Sequence, residues 1–191
     1  MSEIVLRDYR REDLEEISRL DEVCFAKEFR FDRRSMRGFV EAGNAVTVVA
    51  EEMGGGIAGF VIVHVQRIAG RVTGYVVTLD VAEESRKRGL ASRMMQEVER
   101  RARAVGARRM ELDVFTGNEG AIRFYERMGY ERVGVRLGPP PRRVPRRRRR
   151  SSPTSATPSG RSTPTTWWRH PPTRGRRGSS RSRWRAARCW R

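Results

Sequence analysis

The stretch VAEESRKRGLASRMMQEVER, residues 81–100, decides how this chain is read. An apolar run precedes it, Tyr75-Val76-Val77-Thr78-Leu79-Asp80-Val81. Within and after it, Leu90, Met94, Met95, Val98, Ala102 and Val105 recur at helical spacing, so a strand turns into a helix here. The turn is Arg86-Lys87-Arg88-Gly89-Leu90-Ala91. A helix start leaves backbone N–H groups unpaired and carries the positive end of the macrodipole. A basic turn of small residues at that point suits an anion such as a pyrophosphate, with Gly89 and Ala91 where a larger side chain would hold the phosphates off.

Two other phosphate loops are excluded. There is no G-x-x-x-x-G-K-[ST], and one glycine followed by an alanine does not make G-x-G-x-x-G. What remains, R-x-x-G-x-A after a strand, resembles the coenzyme A pyrophosphate loop of the GNAT acetyltransferase superfamily. A second stretch supports the resemblance. Residues 109–135, RMELDVFTGNEGAIRFYERMGYERVGV, give an alternating strand, an Asn-initiated helix, and Tyr-Glu-Arg-Met-Gly-Tyr leading into another strand. This is similar to the later motif of that superfamily, in the right order and at the right separation. The likeness spans about residues 4–137 and is strongest to the ribosomal-protein N-terminal alanine acetyltransferase branch.

The resemblance implies an α/β fold with a mixed, mostly antiparallel sheet, flanking helices, and a V-shaped split between two parallel central strands, here residues 75–81 and 110–114. It implies acetyl-CoA as cosubstrate and no metal. Leu79, Asp80 and Val81 would line the pantetheine and acetyl group through their main chain, while Lys87, Arg88, Gly89, Leu90, Ala91 and Ser92 surround the pyrophosphate. Asn118 stands where the family has an Asn against the cofactor, although an N-cap role suffices for it. Tyr125 occupies the position of the family's general acid for the leaving thiolate. The base is expected at Asp113, where the alanine branch carries Glu. Asp withdraws the carboxylate by about one methylene, so proton transfer would run through water. Glu83 departs from the Pro common at its position, and Glu84 beside it would repel phosphate unless both point outward.

The remaining segments fit this frame. Residues 4–7 start a short strand, and Leu14, Ile17, Leu20 and Val23 mark one face of a helix whose first turns are acidic. An aromatic connection with Phe25, Phe29 and Phe31 follows; in the family it borders the acceptor groove, though these rings also read as core anchors. A short helix runs from Asp32 towards Ala42. Residues 46–52 and 57–65 are strands joined through Met53-Gly54-Gly55-Gly56, and residues 67–74 read as a second turn. His64, in a β-run, reads as a packed or surface residue rather than a proton carrier. Cys24 and Cys189 have neither disulfide nor metal-ligand spacing.

Composition divides the chain. From Gly138 on there are seventeen Arg, no Lys and no Asp or Glu, so seventeen of the net +18 charges lie there. All nine Pro and all four Trp lie there too. Residues 1–137 are therefore expected to form the acetyltransferase domain, lacking its final strand, and residues 138–191 a disordered Arg/Pro/Ser-rich tail. Two accounts of the tail stand open: an arm that contacts RNA or the ribosome, or coding DNA read out of frame. No basic start precedes a long apolar run and no stretch approaches the ~20 apolar residues of a membrane span, so a cytoplasmic protein without membrane contact is expected.

The function expected is acetyl transfer to an amine, with a protein N-terminal α-amino group as the acceptor by resemblance to the alanine branch. A small amine or a lysine is the alternative acceptor. A basic RNA-binding protein with a vestigial acetyltransferase fold is the alternative of another class.

Overall fold

The computed structural model describes residues 3–27, 29–68, 70–137 and 180–186. One seven-stranded sheet organises them: β1 (Ile4–Asp8), β2 (Ala45–Glu52), β3 (Ile57–Ile68), β4 (Arg71–Val81), β5 (Arg109–Phe115), β6 (Tyr130–Leu137) and β7 (Ser180–Ala186), in the order β1-β2-β3-β4-β5-β7-β6. Every pairing is antiparallel except β4 with β5. Helices α1 (Leu14–Cys24) and α2 (Arg33–Val40) cover one face, and α3 (Leu90–Ala104) and α4 (Glu119–Arg127) the other.

Each face has its own core. Ile17, Met36, Phe39, Val49, Phe60 and Ile62 close on α1 and α2. Met94, Met95, Val98 and Ala102 project from α3 onto Val61, Val63, Val76, Met110 and Leu112. Burying each of the larger side chains contributes roughly 1.5–3 kcal/mol, so the 3.6-residue stripe of α3 suffices to fix its docking. Gly59 is required by close approach: a Cβ there would lie 2.7 Å from the Asp80 carbonyl oxygen and 2.9 Å from Met94.

Four expectations are corrected. The segment read as a turn from 67 to 74 is mostly strand, with Arg67 opposite Val72 and Ile68 opposite Arg71, because a tight turn ending at Gly70 (φ 78°) lets both strands extend. Val23 is 74% exposed, and Ser18 and Asp21 occupy the buried stripe of α1 in its place. Val105 is likewise exposed, since the helix has ended by that residue and Gly106 (φ 96°) follows.

The fourth correction concerns the sheet. It does not lack its final strand: Ser180–Ala186 lies between β5 and β6, with Leu112 opposite Trp184 and Arg132 opposite the same residue on the other side. Ladder hydrogen bonds are made by backbone, so a segment poor in aliphatic side chains can fill a slot whose neighbours would otherwise leave N–H and C=O groups unpaired. The disorder expected of the tail fails for these seven residues. Residues 138–179 and 187–191 lie outside the described residues, and with them the choice between an RNA-binding arm and an out-of-frame product.

Candidate active site

The site begins where β4 and β5 part. They pair only at Thr73 with Arg109, Gly74 with Met110 and Tyr75 with Glu111, although both strands continue, to Val81 and Phe115. Beyond that point the two strands no longer pair with each other. A bulge in the β3–β4 ladder at Ile62/Val63, which leaves Val77 outside the register, turns β4 away from its partner. The expected V-shaped split is therefore present.

At the open end of β4 a 3-10 turn, Glu83–Ser85, leads into the basic loop. Glu83 and Glu84, within that turn, are exposed. Lys87 (φ 60°) and Gly89 (φ 77°) both take the left-handed conformation, and Gly89 is the residue before α3. Two left-handed residues so close together turn successive N–H groups the same way, a concave arrangement suited to anions. A Cβ at Gly89 would meet nothing within 4 Å, so the turn borders open space. Lys87 and Arg88 are exposed and available to a phosphate; Arg86 is engaged, its Nε donating to the Val81 carbonyl oxygen at 2.9 Å. The first helical N–H to find an intrahelical acceptor is that of Arg93, which bonds to Gly89 O at 3.1 Å. The N–H groups of Leu90, Ala91 and Ser92 thus remain for a ligand. This donor set fits the paired phosphates of coenzyme A.

Tyr125 lies on α4, buried between Phe124 and Tyr130, with ring centroids 5.0 and 5.5 Å away. Its hydroxyl forms no hydrogen bond with a described residue. Burial, and after it the charge of Asp80, pushes its pKa above the ordinary phenol value, so it stays protonated. Asn118 caps α4 as expected, its Oδ1 accepting from Ala121 N at 3.0 Å.

Asp113 is not a surface carboxylate: its side chain is 5% exposed. Its Oδ2 accepts from the Tyr75 hydroxyl at 3.0 Å across the fork, and its Oδ1 lies 3.7 Å from Arg183 Nε of β7. Neither partner was found by sequence reasoning. Tyr75 is 38 residues away and Arg183 lies in a tail read as structureless; only strand register brings them to Asp113.

Asp80 lies on β4 among the residues expected to meet the cofactor by main chain, yet its own side chain is buried, accepting from Thr78 Oγ1 at 2.7 Å. His64 faces Phe39, with Nε2 2.9 Å from its carbonyl oxygen, as expected of a packed residue. The end of α1 touches one arm of the split and the connection to α2 the other. Cys24 Sγ donates to Val81 O at 3.4 Å, and the Phe29 ring stands 5.5 Å from that of Phe115. Phe31 packs edge-on against Phe39 at 4.9 Å. Among the described residues no group of three or more His, Cys, Asp or Glu could hold a metal ion, and no helix is long and apolar enough to cross a membrane.

Forked parallel strands beside a left-handed basic turn define an acyl-coenzyme A transferase architecture, and comparison with known proteins agrees. Residues 5–130 match the Acetyltransferase (GNAT) family, and the chain belongs to it. A curated relative, an uncharacterized N-acetyltransferase named YdgE from Bacillus subtilis (strain 168), is 36% identical over 63 residues, 33% of this chain and 40% of that protein. The chain thus spans well under half of that relative. Among solved structures, Arabidopsis thaliana NAA60 in complex with acetyl-CoA superposes with a TM-score of 0.63 at 25% identity, covering 71% of this chain and 89% of that one. The ribosomal-protein-S18-alanine N-acetyltransferase from Escherichia coli gives a TM-score of 0.66 at 14% identity, covering 96% of this chain and 92% of that one, which is a likeness of fold.

Proposed function

We propose that this protein transfers acetyl from acetyl-CoA to an amine, by direct attack of the amine on the thioester, and that the acceptor is the α-amino group of a protein N-terminus. The observation that carries the reading is the three-residue pairing of β4 and β5 opening beside the αL turn at Gly89. A pantetheine arm can enter that opening and pair with the main chain of Leu79, Asp80 and Val81. Lys87 and Arg88 neutralise the pyrophosphate, and the N–H groups from Gly89 to Ser92 hold its oxygens. Asn118, at the start of α4, faces the same cofactor.

Three demands follow from the chemistry: the amine must lose a proton, the oxyanion must be stabilised, and the thiolate must leave as a thiol. Tyr125 supplies the last. Its phenol keeps its proton in the resting enzyme and gives it up only to a thiolate formed beside it. Asp113 receives the amine proton through water, with Tyr75 holding the carboxylate in one orientation. The α-amine is favoured as acceptor because solved proteins of like fold include a ribosomal-protein-S18-alanine N-acetyltransferase and an Arabidopsis thaliana Naa50 in complex with the bisubstrate analogue CoA-Ac-MVNAL.

The test is release of free thiol from acetyl-CoA in the presence of short peptides with free N-termini, the same peptides with blocked N-termini and an internal lysine, and small amines. Turnover confined to free N-termini is expected. Turnover confined to the blocked lysine peptides or the small amines would replace the acceptor, and absence of coenzyme A binding at millimolar concentration would remove the assignment.

A further inference from the structure

We propose that Glu99 of α3 and Tyr130 of β6 are positioning residues for acetyl transfer: the hydrogen bond between them holds the Tyr125 ring in a fixed relation to α3, the helix whose first turn receives the cofactor. This deepens the function proposed above and rests on the roles given there to Tyr125 and to the turn at Gly89. The Tyr130 hydroxyl donates to Glu99 Oε1 at 2.5 Å, joining residues 31 positions apart. The same ring stands against that of Tyr125, with centroids 5.5 Å apart and planes at 63°. One ring thus has its oxygen tied to α3 and its body against the phenol on α4.

Local structure brings the two rings together. Helix α4 ends at Arg127, and Gly129 (φ 81°) takes the left-handed conformation that turns the chain into β6 at Tyr130. The ladder fixes the backbone of Tyr130 opposite Ala186, so the far end of its ring is placed by side-chain contacts alone. Tyr125 and Tyr130 are buried and Glu99 is half-buried. Burial, and after it the charge of Glu99 and the hydrogen bond to it, raises the Tyr130 phenol above its ordinary value. Burial also raises the Glu99 carboxyl, against the hydrogen bond from Tyr130 and the charge of Arg103. The proton therefore stays on Tyr130, and the carboxyl oxygen accepts. Such a bond is directional and holds a ring in place more firmly than packing does.

Helix α3 carries both ends of the alignment. It begins at the basic turn, and its first residue, Leu90, lies in the same core as Tyr125, Tyr130 and Val114 of β5. Leu79 and Val81, at the open end of β4, pack against that core. A cofactor held at the start of α3 and a phenol braced by Glu99 farther along it keep one separation. Proton transfer to the leaving thiolate needs the donor within hydrogen-bond reach, and a misplacement of about 1 Å can cost on the order of a hundredfold in rate.

The test uses the full chain. Tyr130→Phe keeps the ring and removes only the hydroxyl, Glu99→Ala removes the acceptor, and Glu99→Gln leaves an amide oxygen that still accepts. Turnover at saturating acetyl-CoA should fall about tenfold in Tyr130→Phe and in Glu99→Ala with the KM for acetyl-CoA unchanged, and Glu99→Gln should recover most of that loss. In a Tyr125→Phe background, Tyr130→Phe should cost nothing further, because the phenol it aligns is already gone. Full turnover in Tyr130→Phe would overturn the proposal, as would a loss that falls on KM or recurs undiminished in the Tyr125→Phe background. A measurement without substrates separates the brace from the activity. In protein labelled with carbon-13 on its tyrosine rings, the flip rate of the Tyr125 ring should rise about tenfold in both Tyr130→Phe and Glu99→Ala, the order expected for loss of one hydrogen bond. An unchanged flip rate would overturn the brace even in an active enzyme. A chain that acetylates no acceptor yet shows the faster ring would sink the proposed function and leave the brace standing. If Glu99→Ala does not fold, Tyr130→Phe, which preserves the packed ring, decides alone.

Discussion

Two carboxylates sit past the fork, one on each arm, and their surroundings are opposite. On β5, Asp113 is held by a phenol at 3.0 Å and faces a guanidinium at 3.7 Å. On β4, Asp80 has a hydroxyl at 2.7 Å, a second carboxylate as neighbour and an oxygen with no partner. The second arrangement favours a retained proton. The difference comes from which elements cover each arm. β5 is flanked by β7, which brings Arg183, whereas β4 is covered by α1, whose buried stripe includes Asp21. One fold thus gives the same side chain two different surroundings a few residues beyond the same branch point.

Tyr125→Phe should have the largest effect. The ring keeps its contacts with Phe124 and Tyr130, and acetyl transfer should fall roughly a hundredfold, the low end of a general acid's contribution. Acetyl-CoA affinity by calorimetry should be unchanged, and undiminished turnover would take Tyr125 out of the mechanism. Gly89→Val comes next. A β-branched residue in the left-handed region costs about 1–2 kcal/mol, and its side chain would enter the open space at the turn. Affinity for coenzyme A should weaken about tenfold, 1.4 kcal/mol being a factor of ten; an unmoved dissociation constant would refute the loop assignment.

Between the arms, Asp113→Asn should lower turnover about tenfold, and Tyr75→Phe by less, each figure below the full contribution of a directly contacting base. The two substitutions combined should be no worse than Asp113→Asn alone, because Tyr75 acts through the carboxylate. Additive losses would separate them. The smallest expected effect is on stability. Asp21 titrates at about 6 when folded and near 3.9 unfolded, so the folded state binds the extra proton between those values and its stability falls as pH rises from about 4 to 6. Urea midpoints of Asp21→Asn relative to wild type should therefore improve across that window; a constant difference would show that Asp21 is ionised like an exposed aspartate.

Much of this protein was legible before its structure. The small-residue turn at Gly89, the N-cap at Asn118 and the alternating strand that opens residues 109–135 are local, and local chemistry is written in adjacent residues. Val23 and Asp21 show where that legibility ends. Spacing assigned the buried stripe of α1 by hydropathy, but the helix docks so that an aspartate two residues earlier goes inside. An apolar residue can be exposed cheaply, whereas a buried aspartate needs a partner that only another element supplies. β7 shows the same limit at larger scale. Its residues were set aside for lack of aliphatic side chains, but a vacant ladder position is filled by backbone.

The order of residues alone determined the family, the basic turn before α3 and the position of the phenol, because each depends on a motif short enough to lie within one strand, turn and helix. Tertiary structure alone decided which carboxylate meets a phenol and which is buried beneath a helix, because strand register and helix docking set those surroundings and neither is encoded in spacing along the chain.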